Sequence, residues 1–149
     1  MRPLTRFVNY AIRFEIAYGE DDFSEVGPYF HQDAEYLVTG GPPFDRKLAG
    51  RDAIVEHYTK ITRSFDRRFA RREPMLVEGP TEDGSHLHAH WAAIYSVEGA
   101  PPLRLEGEFL VDFDGELIRR YEERNAPGSG TRVLAWLGAH GSKLAAPRS

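Results

Sequence analysis

From Leu4 to Tyr18 the residues Phe7, Tyr10, Ala11, Phe14 and Tyr18 recur at helical spacing, with Arg6, Arg13 and Glu15 between them. That period predicts an amphipathic helix, which Gly19 can end. Asp22 to Glu25 has the form of a capping box opening a short second helix, disturbed by Pro28. Ala34, Tyr36 and Val38 share one parity and predict a strand that stops in Thr39-Gly-Gly-Pro-Pro43, followed by a return strand from Phe44 to Leu48. Ile54, Tyr58, Ile61, Phe65 and Phe69 then form the apolar stripe of a helix opened by Gly50-Arg-Asp-Ala53. Beyond Pro74 the period switches to two. Strands are expected over Met75 to Glu78, His86 to Val97, Leu103 to Phe113 and Glu116 to Asn125, with Asp114-Gly115 as a two-residue hairpin turn. Val133 to Leu137, carrying Trp136, predicts one or two turns of docked helix after the linker Pro127-Gly-Ser-Gly130, and the tail from Gly141 is expected to fray.

Helices first and an antiparallel meander second is the order of an α+β fold with helices packed on one face of a curved sheet. The expected division is a single domain over 1–126, then linker, short helix and flexible tail over 127–149. A chain of 149 residues with 41% hydrophobic and 12% aromatic residues has the material for one core. The formal charge of −4 argues against a nucleic-acid partner held by bulk positive charge, and the lack of cysteine excludes disulfides, thiolate metal sites and cysteine nucleophiles. With no apolar run of membrane length and no signal-like start at Met1 to Arg6, the expectation is a cytoplasmic protein without a membrane partner.

Strand register follows from the hairpin turns. A two-residue turn at Asp114-Gly115 and a five-residue loop pairing Val97 with Leu103 would place Trp91, Phe109 and Arg120 in one row of the helix-facing surface. The next rows would be Ala93, Gly107 and Glu122, then Tyr95, Leu105 and Arg124. Two small residues beside Glu122 would leave space in front of a carboxylate, a candidate pocket. A three-residue loop with a bulge would instead turn the last strand over, putting Leu117 and Tyr121 inside and Glu122 on the surface.

The opposite face carries His86, His88 and His90, with His88 across from Asp112 in this register. Alternate residues of a strand lie about 7 Å apart, so His86 and His90 cannot share one ion. A polar outer face packed on a second subunit or water is the simpler reading, and no metal or cofactor is assigned. Arg63, Arg67, Arg68, Arg71 and Arg72 crowd the end of the second long helix, where the helix dipole favours cations.

Four segments in this order carry a family resemblance: the first helix running into Gly19-Glu-Asp21, Tyr29-Phe-His-Gln-Asp-Ala-Glu-Tyr36, Gly50-Arg-Asp-Ala-Ile-Val-Glu-His-Tyr58, and Phe109 to Ile118 with its Phe-Asp-Gly-Glu-Leu core. Over roughly Phe7 to Asn125 the chain resembles the nuclear transport factor 2-like superfamily, and within it the SnoaL-like group. The resemblance implies a cone-shaped fold, a hydrophobic pocket between the helices and the concave sheet face, and a homodimer through the convex face. Ketosteroid isomerases of this superfamily place carboxyls where Val38 and Phe109 align, so that chemistry is not expected. Limonene epoxide hydrolases match only at Tyr36 and Glu122. SnoaL-like polyketide cyclases match best, since their acid/base sits where Glu122 falls, although their assisting histidine has no counterpart here.

Besides a metal protein using His88 with Asp112 or His90, two functions follow. One is a cyclase or isomerase-like enzyme acting on a hydrophobic cyclic carbonyl compound, with Glu122 as general acid/base and Tyr36, Tyr58, Trp91, Tyr95, Phe109, Arg120 and Arg124 lining the substrate site. The other is a non-catalytic ligand-binding protein with the same pocket, in which Glu122 and Arg124 form a structural ion pair.

Overall fold

The computed structural model describes residues 2–149 and contains three α-helices and one six-stranded sheet. Helix α1 (Pro3–Glu20) starts with Pro3 in its first turn, where the missing N–H costs nothing, and buries Phe7, Tyr10 and Ala17. It runs past Gly19 and ends at Asp21, which takes the left-handed conformation (φ 55°). Aspartate tolerates that region. The Asp21 carboxylate is gripped by Arg63 at 3.1 Å, Arg67 at 3.3 Å and Arg148 at 3.2 Å. The hydrogen bond from Arg63 in particular holds its pKa below the usual range. Asp22 accepts from the backbone N–H of Ser24, but only a 3-10 turn, Gly27–Tyr29, follows where a second helix was expected.

Strands β1 (Phe30–Thr39) and β2 (Arg46–Ala49) form the first hairpin. Helix α2 (Arg51–Ser64) buries Ile54, Tyr58 and Thr62. The chain leaves helical geometry at Phe65 (φ −129°, ψ −73°), so Phe65 and Phe69 do not extend the α2 stripe but turn toward a second cluster. Strands β3 (Arg71–Asp83), β4 (His86–Ser96), β5 (Leu103–Asp114) and β6 (Leu117–Asn125) follow, and α3 (Ser129–His140) closes the fold. The sheet order is β2-β1-β6-β5-β4-β3, with four antiparallel pairings and one parallel pairing between β1 and β6.

Apolar burial divides into two clusters. Phe7, Tyr10, Phe30, Tyr36, Ile54, Tyr58 and Tyr121 fill the space between α1, α2 and the sheet. Phe69, Tyr95, Leu103, Leu105, Val133 and Trp136 form the other, where α3 docks. Helix α3 is three turns long rather than one or two, because Val133 and Trp136 reach the sheet while Trp136 donates its indole N–H to the Pro101 carbonyl at 2.9 Å. The segment beyond Gly141 is tied back to the end of α2: Ala145 N–H donates to the Arg68 carbonyl and Arg148 N–H to the Arg63 carbonyl. The arginine cluster thus knits α1, the α2 end and the tail together. Arg72 lies between Glu15 (2.7 Å) and Asp66 (3.3 Å), over the ring of Tyr18.

The hairpin registers differ from the sequence expectation in two ways. Tyr95, not Val97, pairs with Leu103, which slides β4 by two residues and keeps its faces. At the last hairpin the turn is Gly115-Glu116, since Asp114 pairs with Leu117 and Phe113 with Ile118. Then Asp112 pairs with Arg120, leaving Arg119 as an extra residue. This bulge reverses the parity of the rest of β6.

Gly107 sits where β6 crosses closest. A Cβ there would overlap the carbonyl oxygen of Arg124 and lie 3.0 Å from the Asn125 Cα, both rigid backbone. The space expected beside this glycine is therefore occupied by β6 itself. Gly107→Ala should lower stability by roughly 1–3 kcal/mol, the usual cost of overpacking. Thermal unfolding checks this, and an unchanged Tm would contradict the close approach.

Candidate functional site

The parity reversal decides which carboxylate faces the helices. In the β5–β6 pairing Val111 lies opposite Tyr121 and Phe109 opposite Glu123, whereas Leu110 lies opposite Glu122. Phe109, Val111 and Phe113 face the core, so Tyr121 and Glu123 do too. Glu122 points to the convex side with Arg120 (3.5 Å) and Arg124 (3.1 Å), its side chain 10% exposed between those two guanidinium groups. The expected placement of Glu122, Arg120 and Arg124 on the concave face is thus corrected: one inserted residue at Arg119 moves all three to the outer surface, where they form an ion-paired ladder.

The other predicted residues do lie inside. The Tyr36 ring stacks on Tyr121 at 5.2 Å and meets Tyr58 edge-on at 5.5 Å. Tyr58 and Tyr10 share a hydrogen bond at 2.6 Å between their hydroxyls. Phe109 packs on Trp91 at 5.5 Å with nearly parallel rings, and on Tyr121 at 5.3 Å. Tyr95 stands apart with the α3 cluster, donating its hydroxyl to Asp66 at 2.9 Å. Burial drives the phenol pKa of Tyr10, Tyr36, Tyr58, Tyr95 and Tyr121 up, so these hydroxyls stay protonated.

Glu123 is the group that sequence reasoning missed. Tyr36 donates its hydroxyl to Glu123 Oε2 at 3.3 Å. The carboxyl lies deep in the molecule, among Val38 on β1, Phe109 on β5 and the tyrosine rings, yet the residue keeps part of its surface accessible. Removal from water pushes its pKa up to about 7; the Tyr36 hydrogen bond pulls it down, and the Asp66 charge adds a small upward contribution. Asp66 is itself raised by burial, opposed by Arg72 and by the Tyr95 hydroxyl. Only the alternation of Tyr121 with Glu123 hinted at this in the sequence, and it was readable only if a bulge was assumed.

Two neighbouring features complete the surroundings. His57 on α2 packs against Tyr36 at 5.7 Å and lines an open groove of about 340 Å³ with Arg46, Leu48 and Lys60. Burial and then the Arg46 charge lower its pKa to about 4, so it is neutral near pH 7. A second groove, about 550 Å³, runs along the outer side of α1, where exposed Val8, Ile12 and Ile16 lie beside Leu76 of the edge strand β3.

On the convex face His86 is opposite Asp112, at 2.6 Å, rather than His88. His88 bonds Glu108 at 2.9 Å, and His90 lies 3.6 Å from Glu106. Each histidine thus has its own carboxylate, and among the described residues no group of three His, Asp or Glu side chains is placed to hold a metal ion. Among the same residues no helix is long and apolar enough to cross a membrane.

No family model matches the sequence. No curated protein matches it either. Solved structures do resemble it. A putative isomerase from Bacillus subtilis superposes with a TM-score of 0.67 at 14% identity, over 93% of this chain and 96% of that one. A nuclear transport factor 2-like protein from Anabaena variabilis gives 0.66 at 13% identity, over 83% and 88%. The chain has the nuclear transport factor 2-like fold. A protein from Catenulispora acidiphila with a ketosteroid isomerase-like fold, solved in complex with trimethylamine, gives 0.63 at 18% identity over 87% and 92%. At these identities the likeness concerns the fold, whose helices enclose the concave face that carries Glu123 and its tyrosines.

The raised pKa of Glu123 has a thermodynamic signature. The folded state holds this proton up to about pH 7, the unfolded state only to the ordinary glutamate range, so stability falls as pH rises between those values. Glu123→Gln removes that titration. The Tm of E123Q relative to wild type should therefore climb between pH 5 and pH 8, by an amount equivalent to about 1–3 kcal/mol. A difference independent of pH would show that Glu123 titrates as an ordinary surface acid.

Proposed function

We propose that this chain binds a hydrophobic cyclic carbonyl compound on the concave face and that Glu123 acts there as general acid/base, in a cyclase or isomerase-like reaction of the SnoaL-like kind. The observation that supports the reading is the Glu123 carboxyl: buried among aromatic rings, held by one hydroxyl of Tyr36, and poised near neutral pH. A general base works best when its pKa lies near the working pH, because it is then both available and strong enough. The ionised carboxylate would take a proton from the carbon beside the ligand carbonyl, leaving an enolate. It would then return the proton at another position, completing an isomerisation, or protonate the product of an intramolecular addition, completing a ring closure. Tyr36 orients the carboxylate. Tyr58, Trp91 and Phe109 supply flat apolar surface, and no resident cofactor is needed for a proton transfer of this type.

The role first assigned to Glu122 passes to its neighbour, and Arg120 and Arg124 leave the substrate site. A cytoplasmic homodimer formed through the convex face is part of the same reading. It would bring the His86–Asp112 and His88–Glu108 pairs into the interface.

A second reading is a non-catalytic binding protein. It is favoured by the way the tyrosine hydroxyls satisfy one another, Tyr10 with Tyr58 and Tyr36 with Glu123, as a structural core would.

Deuterium wash-in separates the two without knowledge of the product. Cyclic ketones and β-keto esters incubated with the protein in D2O are followed by NMR at the carbon next to the carbonyl. Wild type should accelerate exchange, with a rate that rises through about pH 7 as Glu123 ionises. E123Q should lose about 10²–10⁴-fold, while E122Q should keep the wild-type rate. Binding without wash-in would leave the second reading standing.

A further inference from the structure

Helix α1 is apolar on two sides. Phe7, Tyr10 and Ala17 face the core, while Val8, Ile12 and Ile16, at successive intervals of four residues, stand 40%, 55% and 41% exposed on the outer side. A helix that is apolar all round is ordinarily covered all round. The neighbouring sheet edge repeats the anomaly: in β3, the end strand, Met75, Leu76 and Val77 are three consecutive exposed apolar residues. Such runs are avoided on a surface that serves no purpose. Leu76 joins the outer stripe of α1 in the groove of about 550 Å³.

Charge marks the two ends of this face differently. α1 runs antiparallel to β3, since Arg2 and the Leu4 N–H bind Glu82 late in β3 while Glu15 binds Arg72 early in it. At the first end the cation is the open partner: the Arg2 side chain is 69% exposed and that of Glu82 20%. At the other end the anion is, with Glu15 45% exposed and Arg72 12%. Glu20, four residues beyond Ile16 on the same stripe, is exposed and has no ion pair among the described residues. Along α1 the outer face therefore reads cation, apolar stripe, anions. A half-turn rotation about an axis through Ile12 lays this pattern on its own complement, Arg2 over Glu20 and Val8 over Ile16, with the two helix dipoles opposed. Pro74 and Pro80 flank the exposed run of β3, and proline in an edge strand turns away an added strand. The face is thus offered through its side chains rather than its backbone.

We propose that the outer face of α1, with Leu76 beside it, packs on the same face of a second copy of this chain. The helices lie antiparallel, with Ile12 against the partner's Ile12 on the axis, Val8 against the partner's Ile16, and Arg2 paired with the partner's Glu20. This contact lies on the helix side of the sheet, so it is separate from the convex surface and independent of the chemistry assigned to Glu123. The same patch serves both copies, which closes the contact at two. A stripe about 12 Å long, flanked by two ion pairs, makes a small interface with an affinity in the micromolar range.

Sedimentation velocity over about 1–300 μM, which brackets the affinities of small interfaces, reads the assembly. Wild type should exceed the 16.9 kDa monomer as concentration rises. I12D replaces an exposed side chain, so its circular dichroism should match wild type, yet it should weaken this association at least about 30-fold. H88D, on the convex face, should leave the Ile12-dependent step in place. Because the chain has no cysteine, I12C puts a single thiol on the axis. Oxidised glutathione should link two copies there faster than it links L134C, whose thiol replaces a similarly exposed leucine on α3. A wild type that stays monomeric, association that survives I12D or vanishes in H88D, or I12C linked no faster than L134C would overturn the proposal. So would native mass spectrometry in which monomeric wild type, but not I12D, carries a releasable apolar small molecule, since the groove would then belong to a ligand.

Discussion

One extra residue in β6 governs the chemistry of the concave face. Between Ile118 and Arg120 the ladder with β5 skips Arg119, and every side chain beyond it changes sides. Without that bulge the core would receive Arg120, Glu122 and Arg124, two cations and an acid with nothing but aromatic rings around them. With it, the core receives Tyr121 and Glu123, and the charged triplet goes outside, where its members pair with each other. Burying three charged groups among aromatic rings costs far more than bending one strand; on the other face Glu122 is only 7% exposed but pairs with two arginines that keep their access to water, and this favours the bulged register. Gly107 belongs to the same solution, because only a residue without Cβ lets the β6 backbone pass so close.

The consequence is a carboxyl in an apolar setting. Tyr10, Tyr36, Tyr58 and Tyr121 bring large ring surfaces together and hide their hydroxyls by bonding them to each other or to Glu123. The low polarity that makes this packing favourable is also what pushes Glu123 toward neutral pH. The burial that stabilises the rings thus opposes ionisation of Glu123.

A second organising element sits at the other end of the helices. Asp21 closes α1 in a left-handed turn and collects Arg63, Arg67 and Arg148 from α2, the turn after it and the tail. Arg72 does the same between Glu15 and Asp66. Arg63, Arg67 and Arg72 are partly buried and share their carboxylates, whereas Arg148 and Glu15 lie at the exposed rim, so the network ties α1 to the end of α2 and to β3. Asp66 connects this network, through Tyr95, to the cluster that seats α3.

The architecture was legible in the chain because it depends on local periodicity. The α1 and α2 stripes, the strand alternation and the order of elements need only side-chain spacing, and they lead to an α+β fold with helices on one face of a curved sheet; the cone shape was implied by the family resemblance. The inward positions of Tyr36, Trp91 and Phe109 follow from strand parity, and that of Tyr58 from the α2 stripe. Helix ends were harder to read: α2 stops before Phe65 because Phe65 and Phe69 are drawn to the second cluster, a long-range contact. The identity of the inward carboxylate was decided only in three dimensions. Glu122 and Glu123 are adjacent and chemically alike, and a bulge leaves no reliable mark in sequence. The choice between them rests on the total desolvation cost of β6 against its neighbours, a quantity defined only once β1, β5 and the helices are in place.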